Sequence, residues 1–386
     1  MNRSLHNTSN DFYAIKEFLP WNNPSNIISY DAYYKMAYYF NNILKPLVLV
    51  IAIPTSIISG LVFKSQGLKE RMNLCLLVLT LVDMTFVCYS MVFTMTFWIR
   101  ILMPVLGEEV YTKAQYYAMN VNYGLRETSA CISGLIAVER CVCVVLPFHA
   151  HFLMSTRTMG ILLVAMVITM QLAFITTPLK RYVFAVYDNT TDTLRWTVAV
   201  SDAWHRSEGL MLYDKAEDTF MLILLPLVIF FVVSGSTVIT VVKLRSALSW
   251  RDVVSSSKDS VSQQVALTRI LVLVSGVFIA SKAPWVVITL VRFFYPDFSP
   301  TGTQSNIYRA SDLIAHYCLY FHSSINFFIY YSRSSKFRLH LSRLCQCSHS
   351  PPVLPDNVVE DCTKTKLKMK PWVGGLNPSL NPPYSE

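Results

Sequence analysis

Residues 219–242 read Thr219-Phe-Met-Leu-Ile-Leu-Leu-Pro226-Leu-Val-Ile-Phe-Phe231-Val-Val-Ser-Gly-Ser236-Thr-Val-Ile-Thr240-Val-Val242, without one Asp, Glu, Lys or Arg. A helix needs about 20 apolar residues to cross a bilayer core, so this run is long enough to do so. Working outward, six more runs of that kind are found at Pro46–Phe63, Met72–Arg100, Ala114–Leu146, Thr158–Leu179, Ile270–Val291 and Leu313–Ser332. A leucine-rich core helix of a soluble protein would explain one such run. Seven in succession, joined by short polar links, predict an all-α membrane protein, a seven-transmembrane helix bundle.

Composition agrees. Hydrophobic residues make up 53% and charged residues 15% of the 386, with mean hydropathy +0.39. Soluble domains run nearer a quarter charged and could not cover this much apolar surface. The nine cysteines are too sparse for a secreted disulfide scaffold. The formal charge of +9 does not argue for nucleic acid, because the basic residues sit at the ends of the apolar runs.

Orientation is read from Lys and Arg, which favour the inner side. With the N-terminus outside, eighteen of the 33 basic residues fall in inner segments, twelve in outer ones and three within spans. Three Asn-x-Ser/Thr sequons, at Asn2, Asn7 and Asn189, then lie outside and are expected to carry glycans. The polar start, Met1–Tyr30, has no apolar run of signal-peptide length, so the first span is expected to direct insertion. The expected organisation is an outer N-terminal segment over 1–42, a membrane domain with a further helix over 43–344, and a disordered cytoplasmic tail over 345–386. No outer segment contains cysteine, so no intrachain disulfide is expected.

Charged groups inside spans are costly and usually functional. The set read from the runs is Asp83, Arg126, Glu127 and Lys282, two of each sign. At about 100° per residue, Asn122, Arg126, Ser129, Ser133 and Arg140 share one face of the third span, and Glu127 lies off it. Asp312, His316, Ser323, Asn326 and Tyr330 form a similar stripe on the seventh. Two such stripes facing inward would line a central cavity; interhelical hydrogen bonding is the other use of such residues.

In order along the chain, several motifs resemble the rhodopsin-like (class A) G-protein-coupled receptors. The second span reads Asn73-Leu-Cys-Leu-Leu-Val-Leu-Thr-Leu-Val-Asp83, similar to that family's Asn…Leu-x-x-x-Asp. The third ends Glu139-Arg140-Cys141, with Pro147-Phe148 seven residues on. The sixth has Phe278 six residues before Pro284, and the seventh has Asn326-Phe-Phe-Ile-Tyr330. Ser334–Leu344 looks like the family's amphipathic eighth helix. Departures are equally plain. Ser56 replaces the usual Asn of span 1, span 4 lacks the usual Trp, and Ser234 stands where span 5 often has Tyr. Gln115 replaces the outer Cys of span 3, and the 4–5 loop has none. Lys282 replaces the Trp two before Pro284, and Phe327 the Pro of span 7. The chain resembles a divergent member, of the sort met in invertebrate chemosensory and peptide-receptor lineages.

The resemblance implies a ligand-activated receptor for an extracellular peptide or small chemosensory molecule, coupled to a heterotrimeric G protein at the plasma membrane. It implies coupling through Glu139, Arg140, Pro147, Phe148 and Tyr330, with Glu139 holding Arg140 at rest. Gln264 stands where some members have a second acid, so that lock is expected to be missing. The family's sodium pocket maps to Asp83, Ser129 and Asn326. Lys282 would either pair with Asp83 as a tethered cation or face the ligand. The expected ligand pocket is Asn122, Arg126, Lys282, Trp285, His316 and Tyr320. Asn122, where amine receptors carry Asp, argues against monoamines; Tyr320, where opsins carry the retinal Lys, argues against a photopigment. Cys345 and Cys347 are expected palmitoylation sites, and Lys364-x-Lys-x-Lys-x-Lys370 is expected to attract anionic membrane lipid. No resident metal or other cofactor and no enzyme is expected, since no His/Cys ligand cluster or Ser-His-Asp arrangement stands at the inner faces. A polytopic transporter or channel using the polar stripes is the alternative function.

Overall fold

The computed structural model describes residues 23–146, 154–188, 193–254, 259–299 and 302–349. Span 1 is the helix Lys45–Gln66, reached without a break from helix Tyr30–Tyr39 through a π-helical turn, Phe40–Leu44. Residues 30–42, read from sequence as part of the outer segment, are thus helical. Span 2 is Arg71–Leu102; next comes a helix, Pro104–Tyr117, at the end of the bundle where span 1 starts, which we call the outer end, the opposite end being the inner one; span 3 is Met119–Val145. Span 4 is Thr156–Ala173, extended by a short turn, Thr177–Lys180. A hairpin of β1 (Arg181–Asp188) and β2 (Thr193–Val200) leads through helices Asp202–Arg206 and Glu208–Glu217 to a second π turn, Asp218–Leu224. Span 5 is Leu225–Val254, span 6 Asp259–Phe294, span 7 Ser305–Arg333, and the eighth helix Ser335–His349.

Hydropathy placed the start of span 3 at Ala114. The structure moves it to Met119, because Ala114–Tyr117 close the outer helix and the chain turns at Ala118. No charged residue, Gly or Pro marks that turn, so the hydropathy run does not report it. The reversal from span 2 into the outer helix is tight. A Cβ on Gly107 would stand 2.3 Å from the Arg100 Cα and 2.5 Å from the Ile99 carbonyl oxygen. Backbone on backbone at that range admits only glycine.

Neighbouring spans pack in a ring, 1 on 2, 2 on 3, 5 on 6, 6 on 7 and 7 on 1, while span 3 also meets spans 4, 5 and 6. Small residues permit this central position: Gly124, Ala130, Ser133, Gly134 and Ala137 are buried along its length. Span 4, at the periphery, buries only Met159 and Leu163. Outward faces are apolar, as at Val50, Ile57, Leu61, Ile161, Val164, Phe231 and Val238, all exposed. A helix facing lipid satisfies its own backbone and turns such residues outward.

Among the described residues, six helices are long and apolar enough to cross a membrane by length and composition. Span 7, at 29 residues, completes the bundle. Its polar groups are turned inward: Asn306, His316, His322, Ser323, Ser324 and Asn326 are all buried. The segment before span 1 is tied to its outer end, where the Asn23 amide donates to the Thr303 carbonyl (2.8 Å) and the Gln304 amide to that of Ser25 (2.6 Å). At the inner end Phe337 of the eighth helix is buried against Phe63, Phe327 and Tyr330, with ring centroids 5.7–5.9 Å away. Phe327, in place of the family's Pro, therefore packs rather than kinks. Residues 342–349, at the end of the eighth helix, belong to a second unit. Cys345 there is an exposed free thiol. The side chain of Cys347, with Pro147, Phe148, the side chain of Gln264, the three sequons and the lysine-rich tail, lies outside the described residues.

Candidate functional site

A cavity of about 790 Å³ occupies the outer half of the bundle, bounded below by Trp285 and Tyr320 and above by residues 194–198 of β2. Small-molecule pockets are commonly of this size. Of the residues expected to form the pocket, Asn122, Trp285, His316 and Tyr320 line it. Arg126 and Lys282 do not. Arg126 lies one helical turn deeper than Asn122, its guanidinium 4.1 Å from the Trp285 ring centroid and 5.0 Å from that of Tyr123.

The 4–5 loop has no cysteine to tether it, and each described cysteine is a free thiol. Polar contacts hold it instead. Lys180 pairs with Glu217 at 3.1 Å, both nearly buried, and the Thr176 hydroxyl donates to the same carboxylate at 2.9 Å. Lys113 of the outer helix lies over the Trp196 ring of β2 (5.2 Å), and the Val183 N–H donates to the Tyr117 hydroxyl. Arg100 pairs with Glu108 and stacks on Tyr34 and Tyr111. Burial pushes the Tyr111 hydroxyl well above the ordinary tyrosine range, so it stays neutral. Glu217→Gln is expected to lower stability by about 2 kcal/mol through its weakened bond to Lys180. Thermal unfolding of detergent-solubilised receptor measures this, and an unchanged midpoint would show that the pair is not the tether.

Below the cavity lies a buried charge cluster. The Arg126 Nε donates to the Glu127 Oε1 at 2.7 Å, and the Lys282 Nζ stands 3.6 Å from the Glu127 Oε2. That second distance is an ion pair but too long for a hydrogen bond, and the Arg126 Nη1 reaches the His316 ring at 3.5 Å. The expected pairing of Lys282 with Asp83 is therefore not found. Glu127 lies off the polar stripe of span 3, as its helical angle implies. Span 6 packs on that other side, and its Lys282 meets Glu127 there.

Asp83 instead accepts from the Ser129 hydroxyl at 2.5 Å. It borders a small void of about 10 Å³ with Ser56, Ser59, Ser323, Asn326 and Tyr330. The Asn326 Oδ1 is buried without a hydrogen-bond partner among the described residues. A buried carboxylate, a hydroxyl and an orphaned carbonyl oxygen are hard oxygen donors that fit a small cation. No cationic side chain among the described residues pairs with Asp83, so Lys282 does not serve it as a tethered cation.

At the inner end Glu139 is fully buried and Arg140 pairs with it, Nε to Oε2 at 2.8 Å. A second arginine shares the carboxylate: Arg71, at the start of span 2, reaches the Glu139 Oε1 at 2.8 Å. Arg71 also donates to the Met154 carbonyl (2.8 Å), and the Cys143 thiol donates to Glu139 (3.3 Å). Tyr330 stands apart from this cluster, packed on Phe63 and Phe337. Sequence reading missed Arg71 because it precedes its apolar run. Lys45, counted with Arg126 and Lys282 as a basic residue within the spans, is absent from the expected pocket although it lines the cavity; the four-residue spacing Ala37, Asn41, Lys45 was the signal available.

A search of curated proteins finds no match to this chain. The family profile of the 7 transmembrane receptors (rhodopsin family) matches residues 56–330, from the Ser56 position of span 1 to Tyr330 near the end of span 7. With more than two thirds of the sequence matched and the ring of seven helices in place, the chain belongs to the rhodopsin family of seven-transmembrane receptors, multi-pass membrane proteins that signal through heterotrimeric G proteins.

Proposed function

We infer that this receptor stands in the plasma membrane with its N-terminus outside, takes an extracellular ligand into the outer cavity, and passes occupancy to a G protein at Arg140. One observation carries this reading. Arg126 stacks on Trp285, a wall of the cavity, and on its other side bonds Glu127. A ligand that shifts Trp285 or His316 thus perturbs the Arg126–Glu127–Lys282 cluster, which joins spans 3 and 6. Arg140 lies on the same span 3, so a movement of that helix reaches it. The volume admits a small chemosensory molecule or the end of a peptide. Residues 43–344 form the receptor domain, between an outer segment and a cytoplasmic tail bearing Cys345 and Cys347 as acylation sites. The family match does not favour the transporter or channel alternative.

The test is nucleotide exchange on co-expressed G proteins in membranes across a panel of peptides and small molecules. Arg140→Ala is expected to reduce any response at least tenfold at equal surface level. Equal exchange from the wild type and Arg140→Ala throughout the panel would defeat the coupling assignment.

A further inference from the structure

Lys45 is 6% exposed, on a span that enters the membrane, and its ammonium faces the cavity. No carboxylate among the described residues lies within ion-pair distance of it. Its neighbour is the face of the Tyr320 ring, with the centroid at 5.7 Å. The other cations of the span interior are matched differently, since Arg126 and Lys282 share Glu127. An ammonium largely covered by protein, on a cavity wall with no anion beside it, is only partly compensated by a ring face and is a ready partner for an anion that enters the cavity.

Its aim is built in. The π turn Phe40–Leu44 immediately precedes it and inserts an extra residue in the helix, which rotates Lys45 relative to the helix before the turn. Span 7 pins that turn: the Tyr317 hydroxyl donates to the Phe40 carbonyl at 2.5 Å, and the two rings meet edge to face at 4.7 Å. Tyr320 is fixed in turn by its hydroxyl bond to Ser90 (3.0 Å) and by stacking on Phe86 (5.3 Å). Ala37, Asn41 and Lys45 therefore present one line to the cavity. Phe93, Phe97 and Trp285 give the same cavity an aromatic stretch of wall.

We propose that Lys45 is the anchor for the carboxylate of the ligand, and that the receptor recognises an organic anion with an apolar or aromatic body. This rests on the cavity being the ligand site. The anion completes the ion pair that the fold leaves open, and the aromatic wall takes the apolar body. The carboxylate is that of a free organic acid or the C-terminus of a short peptide.

Thermal stabilisation of purified, detergent-solubilised receptor tests this without need of signalling. The probes are matched acids and amides: decanoate and decanamide, indole-3-acetate and indole-3-acetamide, and Phe-Phe with a free or amidated C-terminus. At least one acid is expected to stabilise the wild type at a concentration tenfold or more below its amide; which pair does so distinguishes free acid from peptide. Lys45→Arg should keep the preference, and Lys45→Met should abolish it. Without probe, Lys45→Met should unfold at the wild-type temperature or above it, because it removes an unpaired buried charge. Three results would overturn the assignment: equal stabilisation by acid and amide, no stabilisation by any acid, or a Lys45→Met protein that unfolds well below the wild type. An acid that stabilises the wild type through Lys45 but elicits no exchange at any G protein would leave this assignment standing and defeat the coupling reading instead.

Discussion

Glu127→Gln is expected to be the most damaging change in the membrane interior. The carboxylate is fully buried and holds Arg126 at 2.7 Å and Lys282 at 3.6 Å. Neutralising it strands two cations, and breaking a buried pair costs about 3–5 kcal/mol. Surface expression and the unfolding midpoint should both fall sharply. Lys282→Met alone should be mild, because Arg126 still neutralises Glu127. Combining Glu127→Gln with Lys282→Met should recover much of the loss, since Arg126 retains its stack on Trp285 and an amide oxygen to bond. Adding Asp83→Asn to Lys282→Met should recover nothing, for the two groups do not pair. Strict additivity of Glu127→Gln and Lys282→Met would refute the cluster. Asp83 is also left open to a small cation, so sodium should stabilise the wild type but not Asp83→Asn.

Glu139→Gln should give the largest rise in basal signalling. Glu139 is the shared anion for Arg140 and Arg71, and neutralising it releases both. A shift of about 1.4 kcal/mol toward the active state multiplies its population tenfold while that state is minor. Arg71→Met removes one of the two arginines and leaves Arg140 with Glu139, so its effect should be smaller. Ligand-free nucleotide exchange at matched surface levels reads all three proteins. Basal exchange in Glu139→Gln at or below the wild-type level would exclude the carboxylate as a brake. Arg71 adds a second tie through the inner end of span 2 and the Met154 carbonyl.

Much of the architecture was legible because hydrophobic length is a one-dimensional property. A run such as Thr219–Val242 must cross lipid or be covered by protein, and seven of them leave few arrangements. Helical period also reported correctly that Asn122 and His316 face a shared interior, since each lies on the inward arc of its own helix. The period served less well for depth: it put Arg126 in the pocket wall, while the structure sets it beneath, against Trp285. Side-chain reach and the tilt of a ring decide that, and neither is a property of spacing.

The amino-acid sequence by itself determined that this protein lives in a bilayer, how many times it crosses, which residues carry charge within the spans, and that Glu139 adjoins Arg140. Those are properties of single segments, set by hydropathy and by 3.6-residue geometry. Only the tertiary structure decided who meets whom. It joined Lys282 to Glu127 and not to Asp83, brought Arg71 to Glu139, closed the loop with Lys180 and Glu217, and left Lys45 facing a cavity with no carboxylate within ion-pair distance among the described residues. A helix's own sequence fixes the direction of its polar face, but the neighbour on that face is chosen by how all seven helices pack. A π turn of one extra residue is enough to re-aim a lysine without leaving a mark in the hydropathy of the adjoining run.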